Sequence, residues 1–116
     1  MNINKGFWAT IDRLVETSHI IIDRPRGVTD PNISDFIYPV SYGYLNNSIS
    51  KDNKGINVWV GSDNKMDVDA IICTISLDNS KSNVCILIGC TEQEKDILND
   101  LHNSNDNLKG ILIRRL

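Results

Sequence analysis

The sequence predicts a mainly β or α+β fold, a small curled antiparallel sheet or barrel of about five strands with a helix near each end of the chain. Three observations carry this. Phe7, Ile11, Leu14 and Val15 share one face of a helical wheel. Short β-branched runs recur between clusters of asparagine, serine, aspartate, lysine and glycine. A capping-box pattern, Thr91 followed by Glu94 in TEQE, precedes a second amphipathic stretch.

In chain order, the first helix covers Phe7 to Val15. HIIIDRPRG follows, and its three consecutive isoleucines suit a short buried strand that stops at Asp23 to Pro25. GVTDPNISD is rich in turn formers and reads as a loop. Strand patterns then return at FIYPV, INVWVG, DAIICTISL and NVCILIG. The second helix runs from Thr91 to about His102, with Ile97, Leu98 and Leu101 on one face, and NSNDN ends it. GILIRRL supplies a last strand. With 116 residues, no repeat and no linker, residues 1–116 are expected to form a single domain.

Composition narrows the function classes. Hydrophobic residues make up 41% and charged residues 23%, as in water-exposed globular domains, and no apolar run is long enough to span a bilayer. The N-terminal segment lacks the uninterrupted apolar core of a secretory signal, so a cytoplasmic location is expected. A net charge of −3 argues against a broad nucleic-acid surface. The tight basic pairs, Arg24 with Arg26 and Arg114 with Arg115, read as solvated charge. Cys73, Cys85 and Cys90 are odd in number, lack C-x-x-C spacing and sit in or beside apolar runs, so they read as buried free thiols. Cys90 stands before a helix start but has no histidine beside it in sequence to make it a nucleophile.

Tyr38, Tyr42, Tyr44 and Trp59 could line a ligand site or pack across strands. Asp63, Asp67 and Asp69 lie close together without the glycine and glutamate spacing of a calcium loop, and a polar strand edge or turn explains them more simply. His19 and His102 read as surface or helix-end residues.

One string is more specific. Tyr-Pro-x-x-Tyr-Gly-Tyr, at Tyr38, Pro39, Tyr42, Gly43 and Tyr44, resembles the soluble, magnesium-dependent (family I) inorganic pyrophosphatases. In that family the motif sits on an OB-like five-stranded barrel beside a D-x-D-P-x-D metal motif. IIIDRPRG resembles the family's early strand, and VDAIICTISLDNSKSNVCILIGC resembles a later strand, aspartate-bearing loop and strand. The similarity spans roughly Ile20 to Gly89 and leaves the first helix outside.

The resemblance implies roles position by position. Asp23 takes the place of an early metal-site or structural glutamate, and Tyr42 matches a tyrosine that contacts phosphate or water at the metals. Asp52 matches the first metal aspartate and is the candidate catalytic carboxylate, while Lys54 and Asn57 replace the second and third. Asp78 falls at a further metal aspartate, Asn83 where another is expected, and Cys85 where a phosphate-binding lysine is expected. The family's first hairpin is compressed to VTDPNIS, and its late Tyr-Lys pair has no counterpart. Arg24 and Arg26 are candidates to supply the missing positive charge to a substrate.

Diphosphate hydrolysis by this family needs Mg²⁺ held on carboxylates, because the ions lower the pKa of the attacking water and screen the phosphate charge. A unit charge roughly 6 Å from a divalent ion is worth about 5 kcal/mol at an effective dielectric near 20, so a lysine in an aspartate's place strongly opposes occupancy. The expectation is therefore a weakly active or inactive relative that binds diphosphate or another phosphorylated small molecule, or acts in assembly, with Mg²⁺ only if it is active. The alternative is an active diphosphatase with rearranged ligands drawn from Asp52, Asp78, Asp23 and the aspartates from Asp63 to Asp69. An OB-like oligonucleotide binder is the third reading, and the acidic charge speaks against it. No membrane partner is expected, and a homo-oligomer is compatible with all three.

Overall fold

A computed structural model describes residues 4–46 and 55–115. Helix α1 (Asn4–Glu16) is followed by strands β1 (His19–Arg24), β2 (Ser41–Asn46), β3 (Asn57–Val60), β4 (Val68–Ser76) and β5 (Lys81–Ile88), helix α2 (Glu92–Leu101) and strand β6 (Leu108–Arg114). The strands form one sheet in the order β1-β2-β3-β5-β4-β6. Every neighbouring pair is antiparallel except β3 with β5.

The fold is α+β, as expected, but the five-stranded antiparallel barrel is not what these pairings form. Among the described residues there are six strands, the sheet is mixed, and β1 and β6 are its two ends. The reason lies in the order of pairing. β4 and β5 close on each other through the turn Leu77–Ser80, as their length and alternation suggest, and the β5 strand then lies beside β3 in the same direction. Hydrophobic periodicity fixes which face of a strand is buried and says nothing about the direction of its neighbour.

Alternation sends the two sides of the sheet into separate cores. Val58, Ile71, Ile86, Ile88 and Leu45 point to one side, where Trp8 and Ile11 of α1 cover them. Trp59, Ala70, Ile72, Cys85 and Leu87 point to the other, packed with Leu98 of α2. The helices thus lie on opposite faces. Within α1 it is Trp8 that is buried and Phe7 that is half exposed, so the helix is rotated by about one residue from the face the spacing suggested.

The predicted strand at FIYPV is displaced. Thr29 and Ile37 make only an isolated bridge, and the strand proper begins at Ser41, beyond Pro39, whose ring nitrogen has no hydrogen for a ladder. Gly43 has a steric role there, since a Cβ on it would meet the Ile21 carbonyl oxygen at 1.9 Å. The HIIID strand forms at β1 but is not buried: it is an edge strand with Ile21 and Ile22 more than a third exposed.

Arg114 and Arg115 are not simply solvated charge. Consecutive strand residues face opposite sides, and these two tie down opposite helices. Arg114 Nε and Nη2 reach Glu92 and Asp96 of α2 at 3.1 and 3.3 Å. The Arg115 guanidinium makes two 2.7 Å hydrogen bonds to the Asp12 carboxylate of α1 and lies 5.7 Å from the Trp8 ring centroid.

The capping box at α2 does more than start a helix. Thr91 Oγ1 accepts from the Glu94 N–H, and Glu94 Oε1 accepts from the N–H groups of Thr91 and Ser62. One carboxylate thereby joins the start of α2 to the segment leaving β3. Burial pushes the Glu94 carboxyl up, and the donations from Thr91 and Ser62 outweigh it, so its pKa sits below the ordinary 4.5. Hydrogen bonds to a charged acceptor are worth about 1.5–3 kcal/mol each, so Glu94→Ala is expected to cost about 3 kcal/mol in urea unfolding at neutral pH. Because the folded pKa is depressed, this contribution is complete above pH 4.5 and is lost as pH falls through the lowered value. The variant's stability should accordingly converge on that of the wild type in acid, and equal losses at pH 7 and pH 3 would contradict the assignment.

Candidate functional site

The tyrosine motif turns its side chains to the α2 side of the sheet. Tyr42 lies opposite Trp59 in the β2–β3 register, Trp59 lies beside Leu87 of β5, and Arg24 of β1 lies on the other side of Tyr42. One step along the strands, Tyr44 is opposite Asn57, and Asn57 is beside Cys85. Two parallel rows therefore run across the sheet, one aromatic and one polar.

In the aromatic row the Tyr42 and Trp59 ring centroids are 4.5 Å apart, and Tyr38 stacks on Tyr42 at 6.0 Å. The Tyr38 hydroxyl donates to Asp30 at 2.5 Å. That bond, with the backbone N–H groups of Asn32 and Ile33, holds the Asp30 carboxyl below the usual carboxylate range. Trp59 Nε1 donates to His102 Nε2 at 3.1 Å, and burial lowers the His102 pKa, so the ring is neutral and accepting. His102 is the C-cap of α2, as a helix-end reading suggests, but it is half-buried and holds an aromatic in place.

The chemistry available here is that of neutral groups. Burial pushes the Tyr42 phenol up to about 12, helped by the neighbouring Cys85 thiol, Tyr38 and Asp23. It is a hydroxyl that can donate or accept, and at neutral pH it is not a base. Burial likewise pushes Cys85 to about 12, and burial with the charges of Glu94 and Asp69 pushes Cys90 to about 12. Both are unreactive thiols, which agrees with their reading as buried cysteines. Cys73 is only partly buried.

Beside these rows opens a groove of about 670 Å³ lined by Tyr44, Gly55, Ile56, Asn57, Ser82, Asn83 and Val84. Asn83 Nδ2 leans toward Cys85 Sγ at 3.9 Å. Positions 57, 83 and 85, to which the resemblance would give two metal aspartates and a lysine, are thus close together. Among the described residues the groove's lining carries no charged side chain.

The other expected residues lie apart from the groove's lining. Asp78 is exposed in the β4–β5 turn. Asp23, also exposed, is 3.5 Å from Arg24 and close enough to Tyr42 to raise its pKa. Arg26 is exposed and 4.0 Å from Glu94. Both candidate arginines therefore already face acidic partners. Asp52 and Lys54 lie outside the described residues.

A second open cavity, about 650 Å³, is lined by Asp12, Val15, Glu16, Met66, Asp67, Val68, Asp69, Lys95 and Arg115. Its acidic groups are already engaged in part: Asp12 by Arg115, and Asp69 by the Cys90 N–H at 2.7 Å. Asp63 accepts from the Lys65 N–H in a turn. Among the described residues no three His, Cys, Asp or Glu side chains come together as a metal would require. Magnesium wants anionic oxygens, and the phenol, hydroxyl and two carboxamides among the groove's described residues do not fit it.

No protein-family model matches the chain, and no curated protein matches it. Among the described residues no helix is long and apolar enough to cross a membrane.

Sequence reasoning missed Asp30, Ser82 and the Trp59–His102 pair. The last had a signal, because a tryptophan inside a buried strand needs an acceptor for its N–H. The pair also predicts a pH response. His102 has a folded pKa below its unfolded 6.5, so the unfolded chain binds the extra proton first and stability falls as pH drops below 6.5. In His102→Gln the amide oxygen can still accept from Trp59 and does not titrate. Urea midpoints at pH 7 and pH 5.5 should therefore differ less for this variant than for the wild type, with tryptophan fluorescence as the readout.

Proposed function

We propose that this chain is a degenerate relative of the soluble inorganic pyrophosphatases that binds diphosphate or a related phosphorylated small molecule and hydrolyses it weakly or not at all. The observation behind the reading is the polar row: of the positions aligned with metal carboxylates and a lysine, Asn57 and Asn83 line one groove beside the tyrosine motif, and Cys85 is buried next to Asn57 in the β3–β5 ladder. On this reading the six-stranded sheet descends from the family's curled OB-like barrel, and the protein works in the cytoplasm.

In such a site the carboxamides of Asn57 and Asn83 donate to phosphate oxygens from the groove, the Tyr42 hydroxyl does so from the adjoining aromatic row, and Arg24 adds charge from the neighbouring strand. None of these groups can generate a hydroxide at neutral pH. Removing one neutral hydrogen bond costs about 1 kcal/mol, so Tyr42→Phe should weaken diphosphate binding about fivefold.

Titration calorimetry with diphosphate, with and without Mg²⁺, tests binding, and phosphate release on the same sample tests turnover. Binding that does not require Mg²⁺, with release near the blank, is expected. Ordinary enzymatic turnover would overturn the proposal. It would instead favour the active-hydrolase alternative, for which Asp23 beside Tyr42 is the best support, and Asp52→Asn would then abolish the rate. Restoring carboxylates in the triple variant Lys54→Asp, Asn57→Asp, Asn83→Asp should raise Mg²⁺ affinity at least tenfold. An unchanged affinity would show that these positions do not share a metal site.

A further inference from the structure

The two ends of the sheet are treated differently. At β6, Asn103 closes the edge: its Oδ1 accepts from the Gly110 N–H at 3.1 Å and its Nδ2 donates to the Gly110 carbonyl at 3.0 Å, as a neighbouring strand would. Asn105 Oδ1 takes the Leu108 N–H at 2.9 Å. Side-chain plugs of this kind guard an edge against a second chain.

At β1 no such device is found among the described residues. This edge carries a run of three isoleucines, Ile20–Ile21–Ile22, with Ile21 37% and Ile22 39% exposed. The ladder also fixes which backbone groups are free. Leu45 donates to Ile56 toward β3, so Tyr42, Tyr44 and Asn46 of β2 turn their peptide groups to β1, where they face Arg24, Ile21 and His19. Ile20 and Ile22 therefore turn theirs outward, away from the sheet.

We infer that β1 pairs antiparallel with β1 of a second copy about a two-fold axis at Ile21. In that register the outward groups of Ile20 meet those of Ile22 of the second copy, and the reverse, while the two Ile21 side chains meet on the α2 side of the sheet. The same register sets His19 opposite Asp23 of the second copy at both ends, an imidazole against a carboxylate, and both residues are exposed. A strand that is self-complementary in its hydrogen-bonding groups, apolar centre and polar ends fits an isologous dimer. Shifting the register so that Ile20 meets Ile20, or Ile22 meets Ile22, pairs only one outward residue of each copy with its like and loses the His19–Asp23 match. Because Asp23 neighbours Tyr42, the dimer also brings His19 of the second copy to the border of the tyrosine row.

Sedimentation velocity on the full chain from about 1 µM to about 1 mM tests this, since an interface this small associates weakly. The wild type should pass from monomer to dimer within that range. Ile21→Lys places two like charges across the axis and should weaken association at least tenfold, with circular dichroism unchanged because the site is part-exposed. His19→Glu should weaken it as well, and the exchange His19→Asp with Asp23→His should restore it. Amide exchange provides a second readout: the Ile20 and Ile22 amides gain protection as concentration rises. A chain that stays monomeric throughout, or a dimer indifferent to Ile21→Lys, would overturn the inference. Neither outcome bears on ligand binding in the groove.

Discussion

The parallel seam between β3 and β5 is the constraint on which the remainder of this molecule depends. Four residues, Asn57–Val60, run beside Cys85–Ile88 and send Val58 and Ile86 into the α1 core, Trp59 and Leu87 into the α2 core. Both strands end at a glycine. A Cβ at Gly61 would meet the Gly89 carbonyl oxygen at 2.4 Å and the Cys90 Cα at 2.6 Å, and Gly89 has φ +62°, a region costly for residues with a side chain. The backbones leave the seam in near contact, and Glu94 then holds the two exits together through Ser62 and Thr91. Parallel pairing requires a long crossover, and here the crossover is the β4 strand itself, which returns on the far side of β5.

The seam also explains the placement of the candidate site. Because β3 and β5 run in step, Asn57 and Cys85 become neighbours although they are far apart in sequence, and the same register carries Asn83 and Tyr44 to the same groove. In an antiparallel arrangement the start of one strand would face the end of the other. The polar row exists only with this topology.

The legibility of the chain divides along the same line. Local rules succeed where the cause is local: the capping box at Thr91 and Glu94 forms as written, and the alternation of DAIICTISL and NVCILIG gives the two longest strands. They fail where the cause is a neighbour. HIIID reads as buried because isoleucine favours interiors, yet its place at the end of the sheet leaves it half covered. Arg114 and Arg115 read as solvated because nothing in RRL reveals that Asp12, Glu92 and Asp96 converge on them. FIYPV holds a good strand composition, but it contains Pro39, which cannot donate to a ladder, and the strand begins only at Ser41. In the site, the tyrosine motif announced Tyr42, whereas Asp30 and His102 gained their partners from loop closure and helix placement.

The electrostatics of the groove set the terms for any ligand. Asn57 and Asn83 each offer a neutral oxygen and an N–H donor, which suits direct hydrogen bonds to an anion better than a hard cation. Arg24 and Arg26, which could balance a phosphate, sit near Asp23 and Glu94 and lose part of their field to them. Glu94 cannot release its hold without loosening the exits of the seam, whereas the Arg24–Asp23 pair is between sequence neighbours at a bulge in β1 and carries no part of the core. Of the two arginines, Arg24 is therefore the one whose charge is freer to turn to an anion, such as the phosphate of the proposed reading. Its position opposite Tyr42 means that such a movement stays within the aromatic row and leaves the fold unchanged.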